Sequence, residues 1–447
     1  MALIPKIYIW SLILEPLLFF VVGHRDITGV VANLSRILQF FVVASMALQM
    51  INLRITYKEV SPLRRQYVYY TLYFILTCIS GVWGLMSGAY IVGPNYNEGV
   101  SGFSAFLNSA WMRPIFEYVI SIYFFVYFVV LAQYFMKNER SIDYFFKAFF
   151  LMFIVTLVIG FIDYAFSSFG ILLVGRHLGD YISVGRRFHG LAGEPRDAFV
   201  YLMLGLAFYV VRSYWLSTKQ NNWWIFIVIV AALMTESASG LIGLAIFVVI
   251  LAGAAMLRLN KIAMLSSVIA AIVIPLLIYS LIDFIPRLTA YRDAMLTLWD
   301  ILESRRPLPF ILVGQGENIY PAYNLIVKMR QFDFVSVFIG SGLGSASAIT
   351  NYFAGTSEIS NPHSQFIRVI YESGLIGLLL FIMSFYKPVE LAIRHMDKNK
   401  RRTLLTLTLL VIGVSLGHRS AAPYIFVGVM ISVFRLMTLK NSRTHSS

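Results

Sequence analysis

Charged residues and cysteine are both scarce in this sequence. Only 13% of its 447 residues are charged and 59% are hydrophobic, which is more apolar surface than one water-soluble core can bury. The single cysteine, Cys78, has no partner for an intramolecular disulfide, which argues against redox chemistry. No Asp-x-Asp pair occurs, and no two His or Cys residues have zinc-ligand spacing. The sequence therefore predicts a membrane protein without a metal or other cofactor.

Long apolar stretches recur along the whole chain. Each covers about 20 residues, enough to cross a hydrocarbon core of about 30 Å as a helix. We predict an all-α, polytopic membrane protein with about twelve transmembrane helices in a single integral domain, residues 1–447. The first stretch lacks a signal-peptide cleavage site, so we interpret it as a retained helix. The predicted spans are 4–22, 30–52, 67–92, 114–136, 144–168, 197–214, 223–236, 238–257, 262–284, 364–386, 403–417 and 421–438.

The formal net charge of +14 indicates an orientation in the membrane. Lys and Arg accumulate in connections on the cytoplasmic side. Here they fall mainly at residues 54–65, 137–140, 258–261 and 387–402 and after residue 440. These connections share one side if both termini are cytoplasmic, and residues 169–196 and 285–363 then form outer loops. Attraction to anionic membrane lipids accounts for the cytoplasmic charge, and nucleic acid binding has no separate support.

The segment SNPHSQFIRVIYESGLIGLLLF begins the tenth predicted helix. Asn361 is a favourable N-cap and Pro362 suits the first helical position, which would place His363 in the first turn. A helix N-terminus favours neutral imidazole, and neutral imidazole can act as a general base toward a hydroxyl. At about 100° per residue, Gly374 and Gly377 share a face with His363. The alternative is a surface histidine on a helix with ordinary small-residue packing.

The segment GRRFHGLAGEPRDAF precedes and enters the sixth predicted helix, whose start is marked by Pro195. Arg186, Arg187 and Arg196 lie on the outer side, contrary to the orientation rule, so an anionic ligand is the simplest reason for them. Arginine binds diphosphate oxygens in pairs. Glu194 lies among these arginines, and the alternative is an interfacial cluster of salt bridges.

Three further polar features lie at or between apolar stretches. TESASG, residues 235–240, separates two short helices, and Glu236 either faces the site or belongs to a helix cap. FIGSGLGSAS, residues 338–347, is predicted to be a flexible glycine-rich turn. Arg368 and Glu372 are one helical turn apart, can neutralise each other and are interpreted as structural.

These residues resemble the superfamily of O-antigen polymerases and O-antigen ligases, multi-helix glycosyltransferases of the bacterial inner membrane. The shared pattern is His, then Asn, Ser or Gln, then nine residues and Gly-x-x-Gly. His363, Ser364, Gly374 and Gly377 satisfy it at the same spacing. The predicted topology agrees with this superfamily over nearly the full chain.

Other segments resemble the polymerase branch of that superfamily. Arg187, Gly190 and Glu194 with the following proline look like its Arg-x-x-Gly and Glu-Pro stretch. TESASG resembles its polar turn, and GSGLG resembles its glycine-rich loop. The family's arginine about twenty residues before that loop has no counterpart in YPAYNLIVK. The nearby candidates for that role are Arg305, Arg306 and Arg330.

The resemblance implies metal-independent transfer of a glycan from an undecaprenyl-diphosphate carrier onto a lipid-linked repeat unit, at the periplasmic face. The first alternative is an O-antigen ligase. A transporter of lipid-linked oligosaccharide is the second, weaker alternative. A chain-length regulator and a flippase of the same pathway are implied partners. His363 and Glu194 are the implied catalytic residues. The implied diphosphate ligands are Arg186, Arg187, Arg196, Arg306 and Arg330, and the further site candidates are Ser364, Glu236, Gly374 and Gly377.

The orientation can be tested by cysteine labelling. We expect both termini and residues 387–402 to be cytoplasmic and residues 285–363 to face the periplasm, because basic residues would otherwise populate the outer side. Single cysteines in a Cys78→Ala background, probed with a membrane-impermeant thiol reagent, measure this. Periplasmic labelling of a Lys398→Cys variant would contradict the orientation.

Overall fold

Helices form most of the computed structural model of this chain. The structure describes residues 2–17, 21–22, 32–51, 65–90, 106, 112–169, 187–257, 293–294, 296–304, 306, 308–309, 312, 316–354 and 363–444. In chain order its helices are α1 Leu3–Leu14, α2 Leu34–Ile51, α3 Val68–Met86, α4 Met112–Phe135, α5 Glu139–Phe166, α6 Pro195–Leu216, α7 Asn222–Met234, α8 Ala238–Leu257, α9 Leu298–Glu303, α10 Gly316–Arg330, α11 Phe334–Ile339, α12 Ser345–Ala354, α13 Gln365–Ala392, α14 Lys398–Gly417 and α15 Ala422–Thr444.

Short irregular elements accompany the helices. α4 contains a π-helical stretch, Phe125–Val130. Single 3₁₀ turns occupy Arg65–Tyr67, Ser167–Phe169 and Gly190–Ala192. Two strands of two residues each, β1 Val21–Val22 and β2 Ala32–Asn33, pair antiparallel.

Seven of the described helices are long and apolar enough to cross a membrane: α2, α3, α4, α5, α6, α13 and α15. The apolar helices α1 and α7 have 12 and 13 residues and are shorter than a span requires. The predicted span at 262–284 lies outside the described residues. The all-α character is therefore confirmed and the structure is consistent with a polytopic membrane protein, whereas the predicted count of twelve spans is not confirmed.

The first predicted span, residues 4–22, is wrong in its helical length. α1 ends at Leu14, and Pro16 has no N–H to donate to the carbonyl of Leu12, as a continuing helix would require. Leu17 N–H instead donates to the carbonyl of Leu14 at 3.1 Å. Twelve residues at 1.5 Å each extend about 18 Å, short of the hydrocarbon thickness of about 30 Å.

The chain divides into two compact units. The first unit comprises Met1–Tyr67, Phe124–Leu244 and Phe385–Ser447, and the second comprises Val68–Tyr123 and Ala245–Ser384. The predicted single integral domain, residues 1–447, and the assignment of 169–196 and 285–363 to outer loops stay predictions. Within 285–363, the described residues include four helices, α9 to α12, so much of this segment is folded.

Aromatic packing between α5 and α6 forms much of the core of the first unit. The ring of Phe208 lies 5.3 Å from that of Phe145 and 4.9 Å from that of Phe149, both in edge-to-face geometry. Gly205 lets α6 approach the Phe153 ring, because a Cβ at this glycine would lie 2.0 Å from a ring carbon. Close van der Waals packing of this kind is what holds helices together in lipid.

In the second unit, α13 is broken at Gly374, where φ is +70° and ψ is −173°. A continuous helix would pair the carbonyls of Tyr371 and Glu372 with N–H groups four residues later. These two carbonyls instead accept hydrogen bonds from the N–H groups of Ser341 and Gly342, each at 2.9 Å. The predicted common face of His363, Gly374 and Gly377 assumed an unbroken helix, and the break makes that assignment wrong.

The segment 338–347, where α11 ends and α12 begins, supplies the N–H groups that bind the carbonyls exposed by this break. At Gly340 and Gly374 the two backbones are in direct contact, which leaves no space for a side chain. A Cβ at Gly340 would lie 2.4 Å from the carbonyl oxygen of Glu372, and a Cβ at Gly374 would lie 2.3 Å from the carbonyl oxygen of Phe338. Gly340 also has a φ of +96°. Ser341 is 1% exposed. The prediction of a flexible turn is therefore wrong, since this turn is buried and held by hydrogen bonds.

Gly374→Ala should destabilise the protein strongly. Alanine at a positive φ costs about 1–3 kcal/mol, and its methyl group would also overlap the backbone of Phe338. Thermal unfolding of the purified protein in detergent measures the loss. Gly81→Ala in α3 is the matched control, because a Cβ there meets no atom within 4 Å. Equal melting temperatures for the two variants would contradict this account of the break.

Candidate functional site

His363 lies just before α13, not in its first turn. α13 begins at Gln365, and the N–H of Ile367 donates to Ser364 Oγ at 3.4 Å, which makes Ser364 the capping residue. The predicted cap and first helical residue, Asn361 and Pro362, lie outside the described residues. The predicted start of this helix is therefore corrected by three residues, from Pro362 to Gln365, because the serine hydroxyl takes the capping role.

His363 is paired with a carboxylate at the start of α10. Its Nε2 lies 3.3 Å from Glu317 Oε2, and the side chains are 37% and 22% exposed, so a substrate hydroxyl can reach the imidazole. Next to this pair, Ser364 N–H donates to Asn318 Oδ1 at 2.9 Å. The carboxylate thus lies on the Nε2 side of the imidazole, where its negative charge would stabilise a proton carried by the ring.

The other end of α10 is held by two more polar contacts. Tyr371 OH donates to Asn324 Oδ1 at 2.9 Å. Lys328 Nζ donates to Ser341 Oγ at 2.7 Å and lies 5.4 Å from the centre of the Tyr371 ring. Burial lowers the pKa of Lys328, while the charge of Asp333 acts in the opposite direction. These contacts fix α10 against α13 and against residues 338–347, which we call the glycine turn. They thereby position Glu317.

A buried ionic network lies further along α13. Arg368 Nε donates to Glu372 Oε2 at 3.1 Å, which confirms the interpretation of these two residues as a neutralising pair. Arg368 Nη2 also donates to Glu117 Oε2 at 2.6 Å, and Glu117 Oε1 lies 2.8 Å from Arg113 Nη2. Glu372 Oε1 accepts from the N–H of Gly344 at 2.8 Å. Two guanidiniums and two carboxylates thus balance, and the network ties α4, α13 and the glycine turn together.

In the first unit, Arg187 donates from Nη2 to the backbone carbonyl of Glu236. Glu236 has a φ of +47° and its side chain is exposed, so its carbonyl and not its carboxylate receives the arginine. The TESASG turn separates α7 from α8, as predicted. Arg186 lies outside the described residues.

Two histidine–carboxylate pairs near these residues were not assigned from the sequence. His189 Nε2 lies 3.0 Å from Asp163 Oδ2, and both side chains are almost fully buried. His418 Nε2 lies 2.9 Å from Asp197 Oδ1. No local pattern predicts that His418 is adjacent to Asp197, because the two are separated by 221 residues.

Glu194 and Arg196 flank the proline that begins α6, as predicted. Glu194 Oε2 lies 2.6 Å from Arg196 Nε, and Asp197 Oδ2 lies 4.0 Å from the same nitrogen. Arg196 is thus part of a local salt-bridge cluster. This geometry agrees with the alternative interpretation of the segment and leaves diphosphate binding by Arg196 a prediction.

The remaining arginine candidates lie in the sequence of the second unit. Arg330 Nη1 lies 3.3 Å from Glu303 Oε1, and its guanidinium lies 4.2 Å from the centre of the Trp299 ring. Arg306 is exposed to solvent. Both arginines are accessible to an anion. For Arg330, a bound anion would have to replace the carboxylate of Glu303.

The second unit therefore brings His363 and Ser364 together with Glu317 and Asn318. No match was found to family models, curated proteins or solved structures. Within the described ranges, no three His, Cys, Asp or Glu side chains group as a metal site. The arrangement beside His363 places an imidazole next to a carboxylate at a partly exposed position, which is compatible with proton transfer from a hydroxyl.

Arg187→Ala should weaken binding of a polyprenyl diphosphate more than Arg187→Lys does. Lysine keeps the positive charge but lacks the planar pair of donors that fits diphosphate oxygens. Scintillation proximity binding with a radiolabelled polyprenyl diphosphate measures the difference. Glu236→Ala is the matched control, because it keeps the carbonyl that Arg187 contacts. An unchanged affinity in a folded Arg187→Ala variant would show that this arginine binds no diphosphate.

Proposed function

We propose that this chain is an O-antigen polymerase of the bacterial inner membrane, with its active site at the periplasmic face. The observation that carries the proposal is the pair of His363 and Glu317 beside the capped start of α13. It supports a general-base role at the same histidine by which the sequence resembles the polymerase and ligase superfamily. The seven candidate spans support a membrane location.

The proposed reaction lengthens a glycan on a lipid carrier. A hydroxyl oxygen of the sugar on an incoming lipid-linked repeat unit forms a bond to the anomeric carbon of the donor glycan. The bond from that carbon to the diphosphate oxygen breaks, and undecaprenyl diphosphate leaves with the electron pair. The imidazole of His363 accepts the hydroxyl proton. A positioned base contributes about 10² to 10⁴ in rate to such a step.

Glu317 and Asn318 act in this proposal as positioning residues. Glu317 places its negative charge beside Nε2 of the imidazole, and Asn318 holds the backbone next to His363 through the N–H of Ser364. Glu317 is in the first turn of α10, where the helix dipole favours the ionised carboxylate. The charged partner would also stabilise the imidazolium that forms as the proton is transferred.

Arginines supply the charge that neutralises the diphosphate in the proposed mechanism. Arg306, in the sequence of the same unit as His363, is exposed, and Arg187 is a candidate through the resemblance. Arg196 and Arg330 are each paired with a carboxylate. Guanidinium groups placed toward a leaving diphosphate stabilise the negative charge that develops on it.

An O-antigen ligase is the second candidate function, because it shares the donor and the proposed base and differs only in its acceptor. A transporter of lipid-linked glycan is the weaker alternative, because the resemblance at His363 and Ser364 is to glycosyltransferases. The proposed partners are the lipid-linked repeat unit and, in the same pathway, a flippase and a chain-length regulator.

Purified protein with a defined lipid-linked repeat unit distinguishes these functions. A polymerase gives lipid-linked products of increasing length from this single substrate. A ligase gives product only when lipid A core is added. Absence of product with and without lipid A core, from protein that binds the substrate, would overturn the proposed glycosyl transfer.

His363→Ala should abolish polymer formation while leaving thermal stability nearly unchanged, because the residue is partly exposed and precedes the helix. We expect a loss of about 10² to 10⁴ in rate, the usual contribution of a general base. His363→Gln should be nearly as inactive, since an amide cannot take the proton. The measurement is the rate of product extension in the purified system.

Two variants sharpen this experiment. Glu317→Gln keeps the shape of the partner but removes its charge, so it should lower the rate less than His363→Ala does. His395→Ala is the matched control, because this exposed histidine contacts only its neighbour Arg394 among the described hydrogen bonds. If His363→Gln keeps near-normal activity, the histidine only orients the acceptor, and Glu194 or Glu236 becomes the candidate base.

A further inference from the structure

A groove in the first unit lies against α5, α6 and α7, away from all the residues discussed above except Phe153 and Gly205. Between and in front of its walls, protein atoms leave about 440 Å³ unfilled, part of it open to the outside. Its walls are apolar and include Phe150, Phe153 and Leu206, and the Phe153 ring packs directly against the backbone of Gly205. The neighbouring side chain of Ile154 is 41% exposed, so the groove opens on the apolar outer surface of this unit.

One end of the groove carries the side chains typical of a membrane–water interface. Tyr209 and Trp224 line it, and Trp223 is 71% exposed next to it. Trp215 Nε1 donates to Asp143 Oδ1 at 2.7 Å, which joins the end of α6 to the start of α5 at this level. Trp and Tyr concentrate where the hydrocarbon core meets the headgroups. The groove therefore runs from headgroup level into the apolar depth of the membrane.

Arg212 lines the groove in the last two turns of α6. Its guanidinium lies 5.1 Å from the centre of the Phe150 ring. Among the residues that the structure describes, no carboxylate forms an ion pair with Arg212. Its positive charge is thus available to an anionic group at this end of the groove, whereas the exposed Lys219 on the following connection does not line the groove.

We propose that this groove binds an anionic membrane phospholipid, with its phosphate at Arg212 and one acyl chain between Phe150, Phe153 and Leu206. Apolar walls with one cationic residue at interface depth fit that combination of headgroup and chain. Gly205 lies seven residues before Arg212, about 10 Å deeper along α6, so the apolar part is long enough for much of an acyl chain.

The position of Arg212 favours a structural phospholipid over the polyprenyl carrier. Arg196 and Arg212 lie at opposite ends of α6, sixteen residues apart and therefore about 24 Å apart along the helix axis. The predicted diphosphate-binding arginine is thus near the other membrane surface. A lipid held at Arg212 occupies the opposite leaflet and needs no role in glycan transfer, so only the exclusion of the carrier rests on the proposed function.

Native mass spectrometry of the detergent-purified protein tests the proposal. Phosphatidylglycerol, phosphatidylcholine and undecaprenyl phosphate are added in turn, and bound lipid is counted per protein. We expect retention of phosphatidylglycerol over phosphatidylcholine and a loss of affinity of about fivefold or more in Arg212→Ala, the value of one charge at a membrane surface. Arg212→Lys should keep part of the affinity, and Lys219→Ala, the matched control, should keep nearly all of it.

A second variant tests the chain site separately from the charge. Leu206→Trp fills the groove while retaining Arg212, so it should also lower phosphatidylglycerol binding, with gel filtration used to select folded protein. Three results would overturn the proposal: equal binding of phosphatidylglycerol to wild type and Arg212→Ala, equal retention of phosphatidylcholine, or displacement of phosphatidylglycerol by equimolar undecaprenyl phosphate. The last would assign the groove to the carrier.

Discussion

The second unit depends on a charge in its interior. Arg368 is 5% exposed and bridges Glu117 and Glu372, which belong to two different helices. Removing one member of such a group leaves an uncompensated buried charge at a cost of about 3–5 kcal/mol. The hydrogen bonds of the network are complete only when α4, α13 and the glycine turn are all in place, so it favours one arrangement of these three segments over any in which one of them has shifted.

The same network connects the fold to the candidate base. Glu372 binds the glycine turn through its carboxylate and also through its carbonyl, and Ser341 of that turn binds Lys328 of α10. α10 in turn carries Glu317, which contacts His363. The orientation of one imidazole therefore depends on contacts several residues away, as expected where catalytic side chains need fixed positions.

Features that depend on composition and local spacing were predictable from the sequence. Apolar length indicated the spans from α2 to α6, and Pro195 and TESASG marked helix boundaries correctly. Contacts between distant residues were not predictable: Glu317 and Glu117 lie 46 and 251 residues from their partners His363 and Arg368. Local rules failed where several residues fit the same role: Asn361, Pro362 and Ser364 all suit a helix start, and only the structure shows that Ser364 is the cap. Hydropathy alone also did not predict that α1 ends before Pro16.

The break at Gly374 has a consequence for biosynthesis. An unpaired carbonyl in hydrocarbon costs several kcal/mol, so the broken form of α13 is unfavourable there until Ser341 and Gly342 reach the carbonyls of Tyr371 and Glu372. Those donors precede α13 in the chain and are synthesised first. Ser341 and Gly342 are therefore already synthesised when α13 leaves the ribosome. The broken form of α13 can then be stabilised without any segment that follows it in the chain.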